Sequence, residues 1–260
     1  ENPEAQIFFV SGGTQANMLV IGTLLRTYQS VIAPETGHIA DNETGAIEAV
    51  GHKIHLAPAT NGKITPESIA DFATRYTNYP HQVQPRLVYI TNATEIGTIY
   101  TLAELKAIYE CCQAHTLLLF MDGARLGSAL NAEDNDMQWK DLARYTDVFY
   151  IGATKNGGLL GEAIVINNPA LTDGFEYYLK QQGALLAKGR LLGLQFLTLF
   201  ENGLYDALAL HANQQMKRIK EAFVANGYTL LSDTCTNQLF PILTHTQIAA
   251  LAEQFDFYQW

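Results

Sequence analysis

The chain has 260 residues, 26 acidic side chains against 16 basic ones, and a formal net charge of −10. That balance, with no cluster of Lys or Arg, excludes a nucleic-acid binder or a membrane-surface protein, both of which need a basic face. Apolar residues make up 48% and charged residues 16%, so the chain can bury a large core and is not disordered.

In chain order, an apolar segment at 7–10 leads into the pair Gly12-Gly13. A helix is predicted over 14–28, with Met18, Ile21, Leu24 and Leu25 on one face. A short strand at 30–33 ends at Pro34. Thr65-Pro66-Glu67 starts a helix that runs to about Tyr76, with Pro at the first helical position. Residues 86–91 form a buried strand. Thr101 and Glu104 form a capping box that opens a helix to Ala114. Further buried strands fall at 116–121, 147–151 and 163–166. Apolar strands alternating with helices predict an α/β fold with a mainly parallel sheet.

After about Pro169 the pattern becomes helical, over 171–226, with breaks at Gly183, Gly189 and Asn202-Gly203. Short segments at 228–231 and 238–243 and a helix at 246–254 complete a small α+β unit. It stops at Phe257-Tyr258-Gln259-Trp260, where a strand would be starting. The expected division is a large domain over 1–190 and a smaller, incomplete C-terminal domain over 191–260.

The longest apolar run, at 117–121, is strand-sized, and the stretch 184–204 is interrupted by Lys188, Arg190, Gln195 and Glu201. Neither supplies the ~20 apolar residues of a membrane span. The first residues carry no basic segment followed by an apolar run. Cys111, Cys112 and Cys235 fit neither a disulfide framework nor a metal site, so a reducing cytoplasm is the expected setting.

In open α/β sheets, ligands bind beyond the carboxyl ends of the strands. Four positions there carry chemistry. Ser11-Gly12-Gly13-Thr14 opens a helix and offers backbone amides to an anion, although an ordinary capped turn would look the same. Thr36-Gly37-His38 follows the strand ending at Pro34. Asp122-Gly123-Ala124-Arg125 ends a fully apolar strand, where Asp122 could equally be a helix N-cap. Lys155, among small residues after the next strand, is either an exposed turn lysine or a partly desolvated nucleophile. Together they match the needs of pyridoxal phosphate: amides for the phosphate, a carboxylate for the ring nitrogen, a lysine for the aldehyde and a His to stack on the ring.

These motifs resemble the threonine aldolase group of β-eliminating lyases, pyridoxal phosphate enzymes of the aspartate-aminotransferase-like fold (fold type I). The residues that carry the likeness are 11–17, His38-Ile39 with Glu43 and Gly45-Ala46, Asp122-Gly123-Ala124-Arg125, and Asp147 through Lys155. The resemblance implies that Lys155 forms the internal aldimine, Asp122 pairs with the pyridine nitrogen, and His38 stacks on the ring and bears on the β-hydroxyl proton, the three being the expected catalytic residues. It implies that Ser11, Gly12, Gly13 and Thr14 hold the phosphate and that Arg125 lies near the cofactor and the substrate carboxylate. Lys188 and Arg190 fall in a segment that reaches the site in the family. Glu43 matches a motif position without an assigned role. The implied reaction cleaves the Cα–Cβ bond of a β-hydroxy amino acid, threonine or allo-threonine, giving glycine and acetaldehyde. A homodimer or homotetramer is implied, with no nucleic acid, membrane or metal.

The chain departs from the family pattern in two places. In Asn92-Ala93-Thr94-Glu95, Thr94 stands where threonine aldolases carry a histidine that recognises the substrate hydroxyl, so Thr94 is the expected substrate contact there, beside Arg125. The family also extends further at both ends, supplying a serine and an arginine near the substrate carboxylate, so a truncated and weakly active member is expected. Two alternatives stay open: another enzyme of the same fold, acting on a different substrate or as an aminotransferase, and an inactive cofactor-binding fragment.

Overall fold

Strands with no polar face need cover on both sides, and the chain provides it. In a computed structural model that describes residues 2–258, the elements in chain order are as follows. They are β1 (Gln6–Val10), α1 (Gly13–Leu24), β2 (Gln29–Pro34), α2 (His38–Asp41), α3 (Ala46–Ala49), β3 (Ile54–Ala57), α4 (Pro66–Arg75), β4 (Gln84–Thr91) and α5 (Leu102–Ala114). Then come β5 (Leu118–Asp122), α6 (Leu126–Leu130), α7 (Trp139–Tyr145), β6 (Val148–Gly152), β7 (Glu162–Ile166), α8 (Phe175–Gln181), α9 (Arg190–Phe200), α10 (Leu204–Ala225) and α11 (His245–Leu251).

The strands form one seven-stranded sheet in the order β1-β7-β6-β5-β4-β2-β3. The pairs β2·β3, β2·β4, β4·β5 and β5·β6 are parallel, and β7 runs antiparallel to both β6 and β1. β7 alone is therefore reversed. The mainly parallel α/β fold expected from the sequence is what forms.

Period-2 alternation divides the core into two layers. Val31, Leu87, Tyr89, Phe120, Val148 and Tyr150 pack toward Leu19, Val20 and Ile21 of α1 and Phe175 and Leu179 of α8. Ile32, Val88, Ile90, Leu119, Met121 and Phe149 pack toward Ile69 and Phe72 of α4, Leu105 and Ile108 of α5, and Leu142 of α7. Each such side chain, fully buried, contributes about 1.5–3 kcal/mol of transfer free energy.

Local signals fix the helix ends. The Thr65 hydroxyl accepts from the Ser68 amide ahead of Pro66, and the Thr101–Glu104 capping box is formed reciprocally. The first helix is shorter than the 14–28 expected. Leu25 turns extended, and the side chain of Gln29 takes the Arg26 amide at 3.0 Å, so the chain enters β2 directly. β3 and the short helices α2, α3, α6 and α7 carry too little periodicity to be seen in the sequence. The short segments at 228–231 and 238–243 meet in one antiparallel bridge, Leu230 to Pro241. Pro241 has no amide to donate, and Leu231 and Ile242 lie exposed with no layer over them. Gln259 and Trp260, where a further strand was expected to begin, lie outside the described residues.

Past residue 190, α9 lies against β1 through the Phe9–Phe196 ring contact, and α10 reaches α6 through a Ser128–Asn213 hydrogen bond of 2.6 Å. No helix among the described residues is long and apolar enough to cross a membrane.

Candidate active site

The loops after β1, β2, β4, β5 and β6 open at one edge of the sheet. Reversed β7 brings its first residue, Glu162, to the same edge, opposite Val10 and Gly152. Sequence-distant polar groups thus converge.

Asp122 ends β5 and is buried. Two strand positions earlier lies Phe120, so its side chain faces α1. Its Oδ2 accepts from Tyr89 Oη at 2.6 Å and Asn17 Nδ2 at 3.2 Å. Its Oδ1 accepts from Tyr150 Oη and, at 2.9 Å, from the Ala124 amide. Burial, reinforced by the Asp122 charge, pushes both tyrosine pKa values up, so the phenols stay neutral donors. Asp122 does not cap α6, since the residue at that N-cap is Arg125. Glycine is required beside it: a Cβ on Gly123 would lie 1.8 Å from the Tyr150 carbonyl oxygen, and one on Gly152 2.4 Å from that of Ala124.

His38 opens α2. A Cβ on Gly37 would meet the Pro34 carbonyl oxygen at 2.9 Å, so glycine permits the tight turn that delivers the imidazole. Nδ1 of His38 lies 3.0 Å from Glu43 Oε1. That hydrogen bond raises the His38 pKa; burial opposes it, and the charges of Glu95 and Asp122 add to it. Glu43 Oε1 also accepts from Asn17 Nδ2 at 2.8 Å and Thr14 Oγ1 at 3.3 Å, whereas Oε2 is buried without a partner. Glu43 therefore links His38 to α1 and, through Asn17, to Asp122.

The N-terminus of α1 has Gly12 in extended conformation, no side-chain cap and no acidic residue in its first turn. It borders a cavity of about 400 Å³ lined by Ser11, Gly12, Gly13, Thr14 and Gln182, among others. The Ser11 amide and hydroxyl both contact Gln15 Oε1 at 2.9 Å, which holds the turn. Free amides at the positive end of a twelve-residue helix suit a phosphate.

Lys155 follows β6 on an exposed stretch and makes no ion pair among the described residues. Although the residue is exposed, protein packed around its ammonium desolvates it. That desolvation, with the neighbouring Arg125 charge, lowers its pKa, and Asp122, Glu95 and Glu162 oppose the shift. The Arg125 guanidinium likewise forms no ion pair among the described residues, which leaves it able to bind a carboxylate.

Ser11, Gly12, Gly13, Thr14, His38, Glu43, Asp122, Arg125 and Lys155 thus line one edge. Thr94 does not present its hydroxyl there: it contacts Thr98 Oγ1 at 2.7 Å and accepts from the Thr98 amide at 3.1 Å. Lys188 and Arg190 lie exposed in the loop preceding α9 and at the start of that helix, and their side chains form no hydrogen bond or ion pair among the described residues.

Two acidic residues join the cluster without having been singled out in the sequence. Glu95 is buried, and desolvation with the Asp122 charge raises its pKa against His38, Arg125 and Lys155. Glu162 accepts from the Ala153 amide at 2.9 Å, and desolvation pushes its pKa up to about 7.

A sequence model of the beta-eliminating lyase family matches residues 2–246. The low-specificity L-threonine aldolase of Pseudomonas aeruginosa is 38% identical over 255 residues, covering 95% of this chain and 72% of its own length. A solved Leishmania major threonine aldolase superposes with a TM-score of 0.96 at 48% identity, covering 98% of this chain and 75% of that one. Aspartate aminotransferase from Thermus thermophilus, at 14% identity and a TM-score of 0.66 over 90% of this chain and 60% of its own, shares the fold alone. The chain belongs to the beta-eliminating lyase family, whose members depend on pyridoxal phosphate.

Proposed function

We propose that the chain is a pyridoxal phosphate-dependent lyase that cleaves the Cα–Cβ bond of a β-hydroxy amino acid, threonine or allo-threonine, releasing glycine and acetaldehyde. The observation that carries this reading is the convergence of Lys155, Asp122, His38 and the uncapped α1 N-terminus on one sheet edge, in a chain 38% identical to a low-specificity threonine aldolase. When bound, the cofactor supplies an electron sink for the pair released at Cα.

The residues fit that group. The buried, unpartnered oxygen of Glu43 and the open α1 N-terminus are polar features that packing alone does not explain. The amides of Gly12, Gly13 and Thr14, with Ser11, would hold the phosphate. Asp122, fixed by four donors, would hold a proton on the ring nitrogen. His38 would lie on the ring face, oriented by Glu43. Lys155 Nζ, with its lowered pKa, has more of the neutral amine that a nucleophile needs. Arg125 would take the substrate carboxylate and so orient Cα.

Three finer parts belong to the same proposal. Exposed Leu159, Leu160, Leu185, Leu186, Leu191 and Leu194 support a homodimer or homotetramer. Free Cys111, Cys112 and Cys235 fit a cytoplasmic setting. A division near residue 190 would separate a cofactor-binding unit from the C-terminal helices.

The test is to add pyridoxal phosphate, reduce with borohydride and locate the pyridoxyl group by mass spectrometry, alongside acetaldehyde release from allo-threonine. Modification at Lys155, its loss in Lys155→Ala and aldehyde release are expected. Modification at another lysine, or keto-acid release in place of aldehyde, would overturn the reading.

A further inference from the structure

The carboxylates of the cluster differ in what they already hold. Asp122 accepts from two phenols, an amide side chain and a backbone amide. Glu43 accepts from Asn17 and Thr14 and contacts His38. Glu162 accepts from the Ala153 amide. The Glu95 carboxylate accepts no hydrogen bond from the described residues. It is nevertheless only 6% exposed, and its oxygens are not among the fully enclosed unpartnered atoms. A buried carboxylate in that condition opens onto a space where a ligand can donate to it.

Its surroundings say which ligand group. His38, Arg125 and Lys155 are the cations around Glu95, and Asp122 is the neighbouring acid. Under the proposed function, on which this inference rests, Lys155 and Arg125 meet the amino and carboxylate ends of the substrate. The substrate donor still without an acceptor is the β-hydroxyl.

The loop is also held in place. Ser232 Oγ donates to the Ile96 carbonyl at 2.5 Å and Thr234 Oγ1 to that of Gly97 at 2.8 Å. Thr236 Oγ1 donates to the same Gly97 carbonyl at 3.1 Å, and Gln238 Nε2 to that of Glu95 at 3.5 Å. Thr94, adjacent in sequence, is turned into the loop by Thr98. A segment more than 130 residues downstream thus clamps the loop and fixes the backbone of Glu95.

We propose that Glu95 is the catalytic base that takes the β-hydroxyl proton of the substrate. The O–H bond breaks and its proton passes to a Glu95 carboxylate oxygen. The hydroxyl oxygen forms the aldehyde carbonyl as the Cα–Cβ bond breaks. The electron pair of that bond stays with the glycine fragment, which takes a proton at Cα, so no redox partner is needed. Desolvation makes the carboxylate more basic than an exposed glutamate, which suits the role.

The test compares wild type, Glu95→Gln and Glu95→Asp as holoenzymes, with circular dichroism and cofactor absorbance confirming folding and loading. Aldehyde release from allo-threonine should fall ~10²–10⁴-fold in Glu95→Gln and recover partly in Glu95→Asp. Exchange of the glycine α-hydrogen with deuterated solvent involves no hydroxyl and should stay within about threefold of wild type. The acidic limb of the kcat/KM profile should vanish in Glu95→Gln. Without cofactor, NMR titration of His38 should show a lower pKa once the Glu95 charge is gone. Aldehyde release within threefold of wild type, equal losses in both reactions, or an unmoved His38 titration would overturn the proposal. Wild-type protein that releases no aldehyde would instead overturn the functional reading beneath it.

Discussion

Gly97→Ala tests how the C-terminal segment holds the loop bearing Glu95. Gly97 has φ +80°, and a Cβ there would meet Thr234 Oγ1 at 2.5 Å, Thr234 Cβ at 3.0 Å and Thr236 Oγ1 at 3.2 Å. The left-handed backbone alone costs an alanine about 1–2 kcal/mol. Relieving the contacts moves the two threonine hydroxyls that donate to the Gly97 carbonyl, each worth about 0.5–1.5 kcal/mol. The expected destabilisation is therefore about 2–5 kcal/mol. Part of the strain leaves with the Thr234 side chain. In a double-mutant cycle, Gly97→Ala with Thr234→Ala should be less destabilised than the sum of the single changes, by about 0.5–2 kcal/mol.

Urea unfolding followed by circular dichroism measures both quantities, and aldehyde release on the same samples reads the site. Release should fall even where the protein remains fully folded, because the Glu95 backbone shifts with the loop. A stability change below about 0.5 kcal/mol, the scatter of neutral surface changes, would refute the clamp. So would strict additivity in the cycle.

Three further outcomes follow from the polar network. Glu162→Gln should remove a pH dependence: the raised pKa, about 7, means folded protein holds this proton more tightly than unfolded chain, so stability present below the unfolded value near 4.5 is lost as pH rises through 7. Urea midpoints of wild type and Glu162→Gln should therefore diverge between pH 5 and 8 in favour of the variant at high pH; parallel curves would count against it. Glu43→Gln should lower the pKa of His38, read by NMR, because the hydrogen bond that raises it loses its charge. Since the raised value stabilises the fold below the unfolded pKa of about 6.5 and stops doing so above the folded one, the His38 part of the loss should appear at acidic pH. An unmoved titration would exclude the Glu43 pairing. Tyr150→Phe should cost about 1.5–3 kcal/mol in urea unfolding, the worth of a hydrogen bond to a charged group, by removing a donor from Asp122; a cost under about 0.5 kcal/mol would place Tyr150 Oη elsewhere.

What the sequence shows of the site follows from strand direction. Asp122 ends a strand of the majority direction and His38, Arg125 and Lys155 each follow one, so a search at the carboxyl ends finds them. Glu162 escapes that search because β7 is reversed and its first residue, not its last, reaches the edge. Thr94 and Glu95 show a finer limit. Both follow β4, and what decides between them is which side chain the turn consumes. The Thr94–Thr98 contact and the distant threonines at 234 and 236 settle that, and neither is local to the motif.

Tyr89 and Tyr150 escaped for a different reason, and here the sequence did hold a usable signal. Both lie in strands buried on both faces and pass for apolar filler. A phenol in such a strand must still find a hydrogen-bond partner, since leaving it unmet costs about 1–3 kcal/mol. Alternation puts Tyr89 and Asp122 toward the same sheet face on neighbouring strands, with Thr91 opposite Asp122 in register and Tyr89 two residues before Thr91. Tyr150 reaches the same carboxylate from β6 on the other side. Asking where two buried hydroxyls could go leads to Asp122 without any family likeness. The same question leads from the unmet carboxylate of Glu95 to the substrate.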